Sequence, residues 1–142
     1  MIKYKNIYYS LILIAASLFF PLFYGHKGIL PIDSFLIFNG GYNIFNGHYP
    51  FKDYWSITGP LLDYIQYFFF IIGKLNWISY VTHAAVFNLI LCLFSFYFFL
   101  KIELKKEYSF LYALGISILG YAQTGTPFMD HHAFIFSYLS IG

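Results

Sequence analysis

The sequence has few charged residues, no arginine and a single cysteine. Only 10% of its residues are charged, compared with about 25% in soluble domains, so a soluble fold would lack the polar side chains to cover its surface. The net charge of +2 arises from eight lysines against six acids, which is too weak for a nucleic-acid-binding surface. One cysteine excludes a disulfide framework and the paired-cysteine zinc motifs. These absences exclude most soluble enzymes, nucleic-acid binders and disordered proteins.

Apolar and aromatic side chains are abundant, at 60% and 25% of the residues. This composition predicts an all-α, polytopic integral membrane protein, a helix bundle that belongs to one transmembrane domain. Long apolar runs predict spans at residues 7–24, 80–100 and 108–123, and the start of another at residue 133. For the first run a secretory signal peptide is the competing interpretation. Its small residues, Ala15-Ala16-Ser17, lie inside the run rather than after it, which favours a retained anchor.

Residues 25–79 form a long connection in which glycine and proline recur, as is typical of a loop outside the hydrocarbon layer. Two interfacial helices are predicted in it, at residues 33–46 and 61–75. In the first, aromatic residues recur at helical spacing, although the Gly40-Gly41 pair argues against one continuous helix. The second is short and carries Asp63 and Gln66. Because a carboxylate inside a bilayer is costly, we expect this helix to lie at the interface rather than to cross.

Lysines decide the predicted orientation. Three of them lie within residues 101–106, and two more precede the first apolar run; the positive-inside rule assigns both groups to the cytoplasm. The N-terminus is then cytoplasmic, and the loop 25–79 and the stretch 124–132 lie outside, provided that residues 61–75 do not cross. Lysine and aromatic usage indicates a bacterial inner membrane. The short final apolar segment predicts that the chain is the N-terminal part of a larger protein.

The acids divide by their predicted side of the membrane. Glu103 and Glu107 alternate with lysines and are expected to be solvated charges. The other four are expected outside, and they are Asp33, Asp53, Asp63 and Asp130. Asp33 and Asp130 each stand just before a predicted helix, so two interpretations stay open. Together they hold a cation and take a proton from an acceptor, or each one caps the following helix.

The polar residues in the predicted span 80–100 have simpler interpretations. Asn88 is expected to form a hydrogen bond to a neighbouring helix, and Cys92 is expected to pack in the core. His83 begins the span on the outer side and is expected to be interfacial rather than a ligand. Trp55 and Trp77 suit the aromatic belt of a membrane protein.

A series of motifs follows the first apolar run in a fixed order. They are Pro31-Ile32-Asp33, then Gly47-His48-Tyr49-Pro50-Phe51-Lys52-Asp53-Tyr54-Trp55, then Gly59-Pro60-Leu61-Leu62, and last residues 69–73. This order resembles the first extracytoplasmic loop of GT-C glycosyltransferases, membrane enzymes that use sugars carried on polyprenyl or dolichyl phosphate. In that family an aspartate begins a juxtamembrane helix, a Gly-x-x-Pro-Tyr-x-Asp-aromatic turn follows, and Gly-Pro precedes a second interfacial helix. The resemblance covers nearly the whole chain, with one residue of drift before Pro50.

The resemblance implies inverting transfer of a sugar from a polyprenyl-phosphate donor to a hydroxyl of a lipid, glycan or protein acceptor. It implies that Asp33 is the catalytic carboxylate and that Asp130 helps to hold the donor phosphate or a divalent cation, Mg²⁺ or Mn²⁺. Lys52, together with Lys27, is a candidate partner of the phosphate, and Asp53, which belongs to the family's turn, is a candidate substrate-binding residue.

The neighbouring pair His131-His132 either assists phosphate binding or is an interfacial pair satisfied by water. Two alternatives to an active enzyme stay open. One is a non-enzymatic transporter or assembly subunit, and the other is a remnant of the enzyme family without turnover.

Overall fold

The computed structural model describes residues 2–28, 35–121 and 124–141, with side chains from residue 7 onward. These residues form six α-helices and no β-strand, which confirms the all-α prediction. The helices are α1 (Ile2–Gly25), α2 (Leu36–Phe45), α3 (Pro60–Gly73), α4 (Trp77–Lys101), α5 (Lys106–Leu119) and α6 (Met129–Leu139).

Two of these helices are long and apolar enough to cross a membrane. They are Ile7–Gly25 within α1 and the whole of α4, which has 25 residues. Both agree with the predicted spans at 7–24 and 80–100. A buried helix of a soluble core and an N-terminal signal sequence satisfy the same criteria of length and composition, so the crossing itself is part of the proposal made below.

The last two predicted spans differ from the observed helices. Helix α5 has 14 residues and is about 21 Å long at about 1.5 Å per residue, whereas a bilayer core is about 30 Å thick. Among the described residues, the helix covers the predicted span 108–123 only as far as Leu119. Helix α6 begins at Met129 rather than at residue 133, so Asp130, His131 and His132 lie in its first turns. Hydropathy marks apolar side chains, and it does not mark the residue at which the backbone becomes helical.

The core is built where α1, α4 and α5 pack together. The Asn88 side-chain amide donates to the carbonyl oxygens of Ser17, at 3.0 Å, and Ser117, at 2.9 Å. It therefore joins α4 to both neighbours, as predicted. Cys92 is buried one turn further along α4 in a cluster with Leu13 of α1, which confirms its packing role.

The bundle has two ends, which differ in the segments that lie there. At what we call the loop end, the indole of Trp77 at the start of α4 donates to the carbonyl of Gly25 at the end of α1, at 2.7 Å. At the opposite lysine end, the Lys106 ammonium lies 5.4 Å from the ring centre of Tyr9. Both lysine-bearing segments thus lie at one end. Helices α2 and α3 and the start of α6 lie at the other.

Helices α2 and α3 form a closely packed pair, seen as Leu36–Phe45 and Pro60–Gly73 where residues 33–46 and 61–75 were predicted. Gly40 and Gly41 are buried in the middle of α2, which continues through both of them. A Cβ atom at Gly40 would collide with the Asp63 carboxyl group, and one at Gly41 would lie 2.6 Å from Cγ of Gln66. The close approach of α3 is the reason that glycine occupies both positions.

Candidate functional site at the loop end

Asp130 lies at a cavity between three segments of the loop end. The cavity has a volume of about 170 Å³, and it is lined by Leu36 and Ile37 of α2, by Ile57 and Thr58 of the following loop, and by residues 127–130. Phe128 precedes α6 with an extended backbone, and no side chain caps this helix. The interpretation of Asp130 as a helix cap is therefore wrong. Its exposed carboxylate borders the cavity at which α2 begins.

Asp33, the predicted catalytic carboxylate and partner of Asp130 in a cation site, lies outside the described residues. Leu36, which lines the Asp130 cavity, follows it by three positions in the sequence. Within the described ranges, no group of three or more His, Cys, Asp or Glu side chains is arranged to hold a metal ion. Mg²⁺ takes about six oxygen ligands, and Asp130 supplies one carboxylate, so we derive no chemical step through a metal.

Two of the predicted substrate-binding residues belong to a tight turn. The backbone N–H of Tyr49 donates to Oδ2 of Asp53 at 2.9 Å, and the N–H of Asp53 donates to the carbonyl of Tyr49 at the same distance. Asp53 therefore closes the turn. The Lys52 ammonium lies 5.2 Å from the ring centre of Tyr49, and Lys27 lies 4.4 Å from that of Phe23. Both lysines are exposed at the loop end.

The two neighbouring histidines of α6 have different surroundings. His131 is half-buried, and its Nδ1 has no hydrogen-bond partner within the described part of the chain. Burial lowers its pKa, while the neighbouring Asp130 acts in the opposite direction. His132 is buried, so the prediction of an interfacial pair satisfied by water is wrong for this residue. Burial lowers the pKa of His132 to about 4, so its imidazole is neutral at neutral pH.

His132 belongs to a chain of buried polar groups that links α3, α4 and α6 with the segment that follows α5. Its Nε2 lies 2.9 Å from Nε2 of His83, whose Nδ1 lies 2.8 Å from the side-chain oxygen of Gln66. Its Nδ1 lies 2.8 Å from both the Tyr121 hydroxyl and the Phe128 carbonyl. His83 is fully buried, and the prediction that it is interfacial is wrong. The residue turns into the bundle because α3 and α6 supply partners that the sequence of α4 does not reveal.

Two neutral proton arrangements fit these distances. In one, the Tyr121 hydroxyl donates to His132 Nδ1, His132 Nε2 donates to His83, and His83 Nδ1 donates to the Gln66 oxygen. In the other, His132 Nδ1 donates to the Phe128 carbonyl, and a neutral His132 then accepts at Nε2 from His83. A neutral His83 must in turn accept at Nδ1, which requires Gln66 to present its amide nitrogen there. That nitrogen has no partner among the described residues in its present orientation, and the two amide orientations are equivalent in shape. Both arrangements leave the chain uncharged, as burial favours.

Asp63 is a buried carboxylate that the sequence did not single out. It is 1% exposed, on the first turn of α3. Its Oδ2 accepts hydrogen bonds from Tyr54, at 2.9 Å, and from Ser56, at 2.6 Å, and its Oδ1 accepts one from Thr58 at 3.1 Å. Burial and then the bond to Asp63 raise the pKa of Tyr54, which keeps this phenol a neutral donor. The spacing of three hydroxyl residues just before Gly59-Pro60 is the signal that would have pointed to it.

Two further cavities border these groups. A cavity of about 180 Å³ adjoins Asp63 and shares Leu36 and Ile57 with the Asp130 cavity. A larger one, of about 490 Å³, is apolar and lies between α4, α5 and α6, with His131 and Tyr121 on its lining. The larger cavity has few polar groups, so the polar chemistry of the loop end is concentrated around the two smaller ones.

Searches with protein-family models, with curated proteins and with solved structures found no match to this chain.

Proposed function

We propose that this chain belongs to a GT-C-type membrane glycosyltransferase that moves a sugar from a polyprenyl-phosphate donor to an acceptor hydroxyl. In this proposal α1 and α4 cross a bacterial inner membrane, the lysine end faces the cytoplasm, and transfer takes place at the loop end. Asp33 deprotonates the acceptor hydroxyl. The hydroxyl oxygen attacks the anomeric carbon, the bond to the lipid phosphate breaks, and the configuration inverts.

The observation that supports this proposal best is the cavity that joins Asp130 to the start of α2. The family resemblance implies two acids, one just before α2 and one in the second outer loop. Asp130 and Leu36 border the same cavity of about 170 Å³, and Leu36 follows Asp33 closely in the sequence. Asp130 on this lining fits the role of the acid that helps to bind the donor, and the resemblance gives Asp33 the role of the acid that activates the acceptor.

The arrangement of charges supports the proposed orientation. Lys27 and Lys52, which are candidate partners of the lipid phosphate, lie exposed at the same end as Asp130. The departing phosphate carries a negative charge, and a nearby ammonium stabilises it. The denser lysine cluster around residues 101–106 lies at the opposite end, and the positive-inside rule assigns that end to the cytoplasm.

Activity of the complete protein in membranes tests the chemistry. We expect Asp33→Asn to lower transfer from a radiolabelled polyprenyl-phosphate sugar by about 10²- to 10⁴-fold, the usual contribution of a general base. Asp130→Asn is expected to raise the KM for the donor. Glu107→Gln, an exposed acid at the lysine end, is the matched control. Transfer that is equal in all three variants would contradict the proposal.

Cysteine accessibility in intact cells tests the topology. In a Cys92→Ser background, single cysteines at Ser34, Leu104 and Met129 are treated with a membrane-impermeant thiol reagent. We expect labelling at 34 and 129 but not at 104. Labelling at 104 with protection at 129 would mean that α3 crosses the membrane, and the two-acid site would be lost.

The buried chain from Gln66 to Tyr121 favours a second candidate, a proton-coupled transporter. His83 lies within α4, a candidate span, and ionisable residues inside spans often mark ion pathways. A transporter would require His83 and His132 for flux in proteoliposomes, whereas a transferase would require Asp33 and Asp130 for sugar transfer. Loss of sugar transfer in Asp33→Asn with no proton flux in the parent protein would reject the transporter.

A further inference from the structure

The cavity beside Asp63 has an unusual lining for the surface of a membrane protein. It is open, its volume is about 180 Å³, and its polar and aromatic lining residues are Asn39, Asn43, Tyr54, Trp55, Ser56 and Asp63. Amide, hydroxyl and carboxyl groups thus converge beside one large indole ring. A few convergent polar groups with an aromatic wall are the usual features of a small-molecule site.

We propose that this cavity binds the pyranose ring of a saccharide substrate. The inference rests on the proposed function, for which it names the place of a sugar. A pyranose presents hydroxyl groups around its edge and apolar C–H groups on its face. The edge matches the amides and hydroxyls of the lining, and the face matches an exposed indole.

The aromatic wall is exposed and held in place by the turn before it. Trp55 is 78% exposed, and the ring of Phe51, itself 58% exposed, meets it edge to face at 5.5 Å between centres. Phe51 has a positive φ of 63°, which is rare for a bulky residue. Such backbone strain concentrates at binding sites. The turn therefore leaves two large apolar rings uncovered, where a ligand face would cover them.

The polar wall has free hydrogen-bonding capacity. Asn39 lies exposed on α2, and its side chain makes no hydrogen bond to another described residue. Asn43 uses one amide proton on the carbonyl of Asn39, at 2.9 Å, and its Oδ1 lies 3.2 Å from Nδ1 of His48, so its second amide proton is the group left for a ligand. Asp63 and its three hydroxyl donors form a fixed inner surface behind these amides. The cavity shares Leu36 and Ile57 with the Asp130 cavity, so a ring bound in it would lie next to the proposed reaction site.

Fluorescence of a single tryptophan tests the proposal. These 142 residues contain two tryptophans, so Trp77→Phe, with phenylalanine in place of any tryptophan beyond residue 142, leaves Trp55 as the single reporter. The complete protein in nanodiscs is titrated with methyl mannoside and methyl glucoside, with mannitol as the open-chain control. We expect a saturable change in emission with a glycoside at a Kd on the order of 1 mM, and none with mannitol. A prenyl-phosphate-linked sugar of short chain is the second ligand, and tighter binding of it would assign the ring to the donor.

Matched variants separate the cavity from the rest of the surface. Asn39→Ala is expected to weaken glycoside binding about tenfold, whereas Asn46→Ala, just beyond the end of α2 and outside the cavity, is expected to leave it unchanged. Brominated lipids in the nanodisc check the competing role of Trp55 as a membrane anchor. The proposal is overturned if no glycoside produces a saturable change, if mannitol acts equally, or if brominated lipids quench Trp55.

The outcome of this binding test is independent of the outcome of the transfer assay, so the two proposals can be rejected separately. Glycoside binding at Trp55, combined with sugar transfer that does not depend on Asp33 or Asp130, would retain the saccharide site and reject the transferase. Transfer that depends on these acids, combined with a Trp55 that does not respond to any sugar, would retain the transferase and reject this site.

Discussion

Removing the acceptor at the centre of the Asp63 cluster should destabilise the loop end strongly. In Asp63→Leu three hydroxyl groups lose their partner. Ser56 is buried, and an unsatisfied buried hydroxyl costs about 1–3 kcal/mol. Tyr54 and Thr58 are only partly buried and regain water, so we assign them about 0.5–1 kcal/mol each. The expected loss is about 2–5 kcal/mol.

Asp63→Asn provides the internal comparison. It keeps the shape and one acceptor oxygen, so its expected cost is about 1–2 kcal/mol. Asp53→Asn, which changes an exposed turn carboxylate, is the control and should stay within about 0.5 kcal/mol of the parent. For a chain of this length a loss of 1 kcal/mol lowers Tm by roughly 3–4 °C. The Leu variant should therefore unfold roughly 6–20 °C below the parent.

The only cysteine offers a direct assay. Cys92 is fully buried, so a fluorogenic thiol reagent labels it only when the bundle opens. Labelling against temperature, in detergent, then gives Tm for all variants without a further label. An Asp63→Leu protein that unfolds with the parent would refute the reasoning. Equal losses for the Leu and Asn variants would refute the assignment of the cost to the missing acceptor.

Three further outcomes follow from the packing. Gly40→Ala should cost about 1–3 kcal/mol because its Cβ collides with Asp63. Gly115 has open space around it, so Gly115→Ala should stabilise α5 by about 0.5–1 kcal/mol. Equal effects of the two substitutions on Tm would contradict this. Asn88→Leu should cost about 1–2 kcal/mol, since it removes both interhelical bonds of that amide, and the thiol assay should detect the loss. Stability should fall as pH drops from about 6.5 to about 4, because His132 takes up a proton at a higher pH in the unfolded chain than in the folded one. A denaturation series in His132→Phe should show a smaller change of stability with pH in that range.

The existence of most elements could be predicted from the sequence, whereas their ends could not. The two long apolar runs became α1 and α4 because a helix of that length is the simplest way to satisfy backbone hydrogen bonds among apolar side chains. The ends differed where polar residues continue a helix, as at the start of α6. There the helix begins before the apolar run does, because Asp130, His131 and His132 are compatible with helical backbone.

The candidate site was predicted less completely. Asp130 was singled out correctly as a residue of the loop end, although its cavity depends on α2 and on the loop after Trp55. Asp63 was assigned to an interface and His83 to an outer surface, and both are buried. A buried polar residue needs partners, and those partners, Tyr54 for one and His132 for the other, lie in different elements.

The sequence by itself determined that the chain is helical, apolar and organised around two long runs, because composition and hydrophobic length depend on each residue alone. Tertiary structure decided which polar groups meet. Glycines at positions 40 and 41 allow α3 to approach α2, and that approach buries Asp63 and Gln66. Burial and hydrogen bonding depend on pairs of residues far apart in the chain, so only the packed bundle specifies them.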